Sequence, residues 1–275
     1  MDQIEMLDHA LVHHGSFNER LYLLKFPQRG TSKLIRKLVG FAREKGYGKI
    51  IAKVPKGKLK KFLQQGFKME ACIPRFYLGH EDCCFVSLFL LESRAVVSAS
   101  LFKKFQQIQN DYRTETTPFP EDDVIILRKL EADDIPDMVS LFRKTFTTYP
   151  FPIHDPGYLE KTMAEHVLYF GAFSPEGLLG VSSAEMDRDY GNAEMTDFAV
   201  SPDARGRGLS KRLLRTMEES MRQAGLNTLY TIARLKSTAM NKTFLGAGYS
   251  YAGTLVNNTQ ISGAIESMNV YYKFL

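Results

Sequence analysis

The chain has 275 residues, 44% of them hydrophobic and 24% charged, with a formal net charge of +5. That length and composition exclude a disordered or collagen-like chain and leave room for one large domain or two ordinary ones. The charge is uneven: residues 1–95 hold 17 Lys and Arg against 9 Asp and Glu, whereas residues 121–275 hold 16 against 20.

Met1 to Arg20 carries charges and three histidines, His9, His13 and His14, with no apolar stretch long enough for a signal peptide. The histidines lack acidic or cysteine partners at metal-ligand spacing, so a surface helix is expected here and no metal. Arg20 to Phe26 predicts a strand. Ser32 to Glu44 predicts a helix with Leu34, Ile35, Leu38, Val39 and Phe41 on its apolar face. Lys49 to Val54 reads as a strand and Lys58 to Gln65 as a helix. The cluster Lys53, Lys56, Lys58, Lys60 and Lys61 lacks interleaved aromatics, which favours a solvated helix face over a nucleic-acid partner. Two strands follow, the second being Phe85 to Leu90. Cys72, Cys83 and Cys84 are the only cysteines, and the adjacent pair reads as packed small residues. The longest apolar run, Cys84 to Leu91, falls far short of the ~20 residues of a spanning helix. A soluble, cytoplasmic protein with no membrane partner is expected.

Ser93 to Glu121, with Pro118 and Pro120 and a weak helical pattern in Leu101, Phe102, Phe105 and Ile108, reads as a connecting helix and linker. The expected division is residues 1–95, a connector over 96–120, and a second domain over 121–275. In that second domain Val124 to Leu127 predicts a strand. Asp133-Asp134 supplies N-cap candidates for a helix with Pro136 in its first turn. Tyr169 to Phe173 and Leu178 to Met186 form a hairpin around Ser174-Pro-Glu-Gly177, and Ala193 to Val200 is a third strand. Leu209, Leu213, Leu214, Met217 and Met221 give Gly208 to Ala224 a helical period, with Gly225 as its stop. A strand over Leu229 to Ala233, a helix over Ser237 to Leu245 and two last strands complete the order β-α-α-β-β-β-α-β-α-β-β, a mixed sheet flanked by helices. The first third repeats part of this order, including Gln65-Gly66-Phe67 where the second domain has Ala247-Gly248-Tyr249. A degenerate internal repeat follows.

The most informative segment runs Asp197-Phe-Ala-Val-Ser-Pro-Asp-Ala-Arg-Gly-Arg-Gly-Leu-Ser210, a strand leading through a Gly-rich, doubly cationic turn into a helix. Such a turn gathers backbone N–H groups and the positive end of a helix dipole at one point, as an anion requires. No Gly-Lys-Ser/Thr follows, and the dinucleotide glycine spacing is missing. A solvated basic turn is the other reading of the same residues.

Arg205-x-x-Gly208-x-Ser210 after Phe198-Ala-Val200 resembles the acetyl-CoA pyrophosphate loop of the GCN5-related N-acetyltransferases, whose pattern is Gln/Arg-x-x-Gly-x-Gly/Ala; Ser210 is a mild departure. The resemblance spans about residues 122–275. It implies an α/β (α+β) fold with a mixed, mostly antiparallel sheet, preceded here by a smaller degenerate copy, and acetyl-CoA as co-substrate. Carried over, Phe198, Ala199 and Val200 hold the pantetheine arm through their backbone and splay from a partner strand at Tyr230 to Ala233. Arg205, Gly206, Arg207, Gly208, Leu209 and Ser210 hold the pyrophosphate, and Asn241 and Phe244 belong to the family's second motif. Many members carry a tyrosine at the Phe244 position to protonate the leaving thiolate, so no general acid is assigned; a thiol of pKa about 8.5 leaves readily without one. Two further segments, Tyr149 to Pro156 and Gly253 to Asn269, are similar to the β-lysine acetyltransferases, which implies that amino acid as acceptor and N(6)-acetyl-β-lysine, an osmolyte, as product.

An amine of pKa ~10.4 must be bound as a cation and then deprotonated. Glu194 and Asp197 suit those tasks, but three residues apart on a strand they should face opposite ways, leaving only one toward the acceptor. A backbone N–H near Ala199 or Val200 would hold the oxyanion. Tyr149, His154 and Asp155, and Asn257, Asn258 and Glu266, are the candidates for binding the acceptor. The partners expected are a small amine and no nucleic acid, the protein being a monomer or homodimer. Three alternatives stay open: a different small amine or polyamine as acceptor, an acyl-CoA sensor without turnover, and, from the basic N-terminal region, modification of nucleic acid or a ribosomal protein.

Overall fold

The computed structural model describes residues 2–27, 31–111 and 125–275. The linker prolines Pro118 and Pro120 and the predicted strand start at Val124 lie outside the described residues. The first half comprises β1 (Gln3–Leu7), β2 (Ala10–Gly15), β3 (Arg20–Lys25), α1 (Thr31–Glu44), β4 (Lys49–Pro55), α2 (Lys56–Leu63), β5 (Lys68–Tyr77) and β6 (Glu81–Phe89). Helix α3 (Ala99–Asp111) leads to the second half: β7 (Ile126–Lys129), α4 (Ile135–Thr145), α5 (Pro156–Glu165), β8 (Val167–Ser174), β9 (Gly177–Asp187), β10 (Asn192–Val200), α6 (Leu209–Gln223), β11 (Thr228–Arg234), α7 (Thr238–Gly246), β12 (Ser250–Ile261) and β13 (Ala264–Phe274). The predicted order of elements in the second half is the one observed.

Among the described residues the strands form a single sheet of 13, ordered β1-β2-β3-β4-β6-β5-β12-β13-β11-β10-β9-β8-β7. Read from either end, β1-β2-β3-β4-β6-β5 and β8-β9-β10-β11-β13-β12 follow the same path: a hairpin, a third strand parallel to the fourth, and a last pair in swapped order. The parallel pairings are β3 with β4 and β10 with β11. Equivalent strands, β5 and β12, meet in the middle, with Gly253 opposite Ala71. Each half packs helices on its sheet. Leu34, Ile35 and Leu38 of α1 bury against Leu21, Ile50 and Val86, while Leu213, Leu214, Met217 and Met221 of α6 bury against Ala193, Met195 and Leu229. The opposite face of the first half joins a core common to both, in which Tyr22, Ile51 and Phe85 pack with Tyr230, Leu255 and Met268.

Two local expectations are corrected. The histidine-bearing start is a hairpin and not a surface helix: Asp8 and His9 take φ of 51° and 67° in the two-residue turn between β1 and β2, a geometry usually announced by Asn-Gly or Asp-Gly. His13 and His14 are consequently buried, and His14 bonds the Tyr47 hydroxyl at 2.9 Å and Glu5 at 2.8 Å. Asp134 does not cap α4; its carboxylate instead receives the Glu131 N–H and two bonds from Arg128. No helix among the described residues is long and apolar enough to cross a membrane.

Candidate active site

Strands β10 and β11 pair in parallel over Asn192 to Glu194 and Thr228 to Tyr230, and beyond that register they part. The parting leaves Ala199 and Val200 paired on one side only, to β9, where Ala199 faces Val181 and Val200 faces Gly180. The chain then passes a short turn at Pro202–Ala204 and enters α6 through Arg205 to Gly208. Gly206 and Gly208 have φ of +83° and +71°, a left-handed backbone that glycine adopts without steric cost. Nothing stands within 4 Å of where a Gly206 Cβ would be. Gly208 is the N-cap, and no side chain caps the helix. An open turn, exposed Arg205 and Arg207 and an uncapped helix N-terminus fit a pyrophosphate, and the buried apolar face of α6 fixes where that N-terminus points.

Where the strands part, a cavity of about 1100 Å³ opens between the two halves. The second half lines it with Tyr149 and Phe151, Tyr158 of α5, Glu185 of β9, Glu194 and Asp197 of β10, Tyr230 of β11 and Asn258 of β12; the first half supplies Arg20 and Tyr22 of β3, Lys53 of β4 and Phe76 of β5. Glu194 sits at the last position of β10 paired with β11, with Glu185 and Tyr230 as its cross-strand neighbours. Asp197 lies in a bulge between Thr196 and Ala199 and has a φ of +53°. The bulge breaks the alternation of the strand, so Glu194 and Asp197 both reach the cavity and the expectation that only one can do so is corrected.

Asp197 accepts hydrogen bonds from the Tyr149 hydroxyl and the Ser183 hydroxyl, each 2.6 Å long. Burial raises its pKa, and those two hydroxyls oppose the rise. Burial likewise raises Glu194, against the pull of the Lys53 ammonium, and raises Glu185 further because the charges of Glu194 and Asp197 stand close by. Lys53 Nζ donates to the Tyr230 hydroxyl at 3.3 Å. Three carboxyl groups of raised pKa in one buried site, with Lys53 beside them, have the chemistry to receive a cationic group and to accept a proton.

The acetyltransferase (GNAT) family model matches residues 135–248. Over 275 residues the chain is 36% identical to a beta-lysine N(6)-acetyltransferase of Methanococcus maripaludis, a match covering 99% of each chain. The chain belongs to the GNAT acetyltransferase family. It is 32% identical over 272 residues to the N-acetyltransferase YodP of Bacillus subtilis (97% of this chain, 96% of that protein), and 30% identical over 251 residues to a beta-lysine N(6)-acetyltransferase of Methanosarcina mazei (83% and 92%). The protein is thus an N-acetyltransferase of a family that uses acetyl-CoA.

Within this acetyltransferase the residues singled out from sequence separate into groups. Phe198 to Val200 and Arg205 to Ser210 form the strand and turn just described, and Tyr149 and Asn258 line the cavity. Other candidates have structural partners. Asn241 is fully buried; its amide N–H groups donate to the carbonyls of Arg234, Leu235 and Ser237, while its oxygen accepts from Asn269 and Tyr271. Phe244 is buried edge-on against Phe198 at 5.6 Å and offers no hydroxyl. Asp155 caps α5 through the Gly157 N–H; the His154 carbonyl accepts from Arg143, while its ring Nε2 is buried without a hydrogen-bond partner. Asn257 ties β12 to the carbonyls of Ser93, Arg94 and Val96. Glu266, expected in the acceptor pocket, is instead paired with Arg234 and Lys236, which explains a lone carboxylate in an uncharged stretch. The sequence reading missed Glu185 and Lys53. Each is a charge inside an otherwise β-rich run, and that was the available signal; Lys53 stands on β4 and not on a solvated helix face.

Proposed function

We propose that the protein transfers the acetyl group of acetyl-CoA to the terminal amine of β-lysine, giving N(6)-acetyl-β-lysine. The observation that carries this reading is the carboxylate cluster of Glu185, Glu194 and Asp197 at the parting of β10 and β11, in a cavity walled by both halves. Full-length similarity to proteins named beta-lysine N(6)-acetyltransferase supports the choice of acceptor. In this reading residues 1–95 and 121–275 are two copies of one unit, with 96–120 as connector, and the first copy has become a wall of the acceptor site.

The coenzyme lies with its pyrophosphate on Arg205 to Ser210 and its thioester in the gap beside Phe198 to Val200. The acceptor enters as an ammonium held by the carboxylate cluster. Asp197 has both oxygens engaged by hydroxyl donors and stays as the fixed charge, while Glu194 receives the proton. The freed amine attacks the thioester carbonyl, the backbone N–H of Ala199 or Val200 stabilises the oxyanion, the nitrogen of the tetrahedral adduct gives its second proton to solvent, and the C–S bond breaks to release the thiolate. Phe244 supplies no proton, and a thiolate leaving group needs none. Thiol release from acetyl-CoA with β-lysine, α-lysine, spermidine and a ribosomal-protein N-terminal peptide tests the reading. Turnover of β-lysine well above the others is expected. Binding of acetyl-CoA without any thiol release would favour a sensor instead.

A further inference from the structure

Arg20 is 3% exposed and lines the acceptor cavity, yet no carboxylate pairs with it among the described residues. Its Nη1 donates to the Asn258 carbonyl and to Thr259 Oγ1 at 2.9 Å, while its Nε has no partner. Asn258 Oδ1, on the residue that Arg20 holds, is buried and unpartnered as well. A buried guanidinium that no carboxylate pairs directly is costly, and so is an orphaned amide oxygen. On two hydrogen-bonded residues that line the same cavity, they complement a ligand that carries a carboxylate and a neighbouring ammonium.

Their position along the cavity fits the same ligand. Arg20 and Tyr22 lie on one face of β3, two residues and so about 7 Å apart along the strand. The Arg20 guanidinium stands 5.2 Å from the centre of the Tyr22 ring, and Tyr22 feels the charges of both Arg20 and Glu194. Arg20, Tyr22 and the carboxylates of Glu185, Glu194 and Asp197 thus line one cavity, with Tyr22 next to Arg20 on the wall from β3. Lys53 cannot serve as the anion anchor in this arrangement, because its ammonium acts on Glu185 and Glu194 and leans on Tyr230, at the end where the reacting amine is held.

We infer that Arg20 anchors the carboxylate of the acceptor, with Asn258 Oδ1 receiving the adjacent ammonium, so that the first half of the chain selects a diamino acid over a plain diamine. This rests on the proposed β-lysine reaction and adds to it a specificity residue from outside the family-model match. The test compares kcat/KM for β-lysine, for its carboxamide and for 1,4-diaminopentane, the same diamine without the carboxylate. The wild-type protein should prefer β-lysine over both by on the order of 100-fold. Arg20→Met should raise KM for β-lysine by a similar factor and bring the three acceptors close together, with KM for acetyl-CoA unchanged; Arg20→Lys should recover part of the preference. The wild-type series needs no variant and stands even if Arg20→Met folds poorly. Equal use of β-lysine and its carboxamide by the wild type would overturn the inference, as would a preference retained in Arg20→Met or one lost only in Lys53→Met. Turnover of 1,4-diaminopentane or spermidine with none of β-lysine would instead remove the reaction on which the inference rests.

Discussion

Gly253 occupies the point where β12 meets β5, opposite Ala71, with a φ of +146°. A Cβ placed there would stand 2.1 Å from the Glu70 carbonyl oxygen and 2.7 Å from the Ala71 Cα. Both are backbone atoms of a paired strand and cannot swing aside. Overpacking costs roughly 1–3 kcal/mol, and a strained backbone conformation costs about as much again. Gly253→Ala should therefore destabilise the protein by about 2–6 kcal/mol. The damage should spread to the clamp beside it, where Glu70 accepts the Val256 N–H at 2.7 Å and Lys49 Nζ bridges Glu70 at 2.8 Å and the Val256 carbonyl at 2.7 Å. Because the cavity has walls from both halves, a shifted junction should raise KM for the acceptor while leaving KM for acetyl-CoA in place. Urea unfolding and steady-state acetyl transfer read the two effects. A stability within about 0.5 kcal/mol of wild type, with an unchanged acceptor KM, would refute this picture of the junction.

Glu194→Gln should lower kcat by roughly 10²–10⁴-fold if Glu194 takes the proton; a loss confined to KM would assign it to binding alone. The Lys53 charge holds the pKa of Glu194 down, so Lys53→Met should move the acid limb of the pH–rate profile to higher pH, and a limb that stays or falls would contradict the assignment. Gly208, at φ +71°, becomes strained by roughly 1–2 kcal/mol in Gly208→Ala, and KM for acetyl-CoA should rise about tenfold with KM for the acceptor unmoved. Burial draws His13 from 6.5 down to about 4, so between those values the unfolded chain takes up a proton that the fold refuses. Stability present above pH 6.5 is lost as pH falls toward 4, by about 3 kcal/mol; His13→Gln should flatten that decline, and identical acid-unfolding slopes would count against it.

The second half was legible in the sequence because its local signals agree with its tertiary packing. The leucine and methionine spacing of α6, the proline in the first turn of α4 and the glycines before α6 each dictate geometry within a few residues. What was not legible depends on partners far along the chain. The alternation rule put Glu194 and Asp197 on opposite faces, and a bulge held by the bonds of Asp197 to Tyr149 and Ser183 undid it. Glu266 looked like a pocket acid because Arg234, 32 residues away, pairs with it only across the folded sheet. Asn241 matched a family motif, but its satisfied side chain knits α7 to β13. Lys53 and Arg20 were obscured because the first half reads as a basic remnant, and only the continuous sheet shows that its β3 and β4 face the site of the second half.

The position of the acetyl group in the product is the most direct test. Full-length protein, acetyl-CoA and β-lysine are incubated, and the product is identified by NMR. With the distal ammonium held at Glu185, Glu194 and Asp197 and the carboxylate at the Arg20 end, acetylation should fall on the terminal N6 amine. Acetylation at the amine next to the carboxylate, or transfer to an acceptor unrelated to β-lysine in its place, would contradict the orientation and chemistry set out for this cavity.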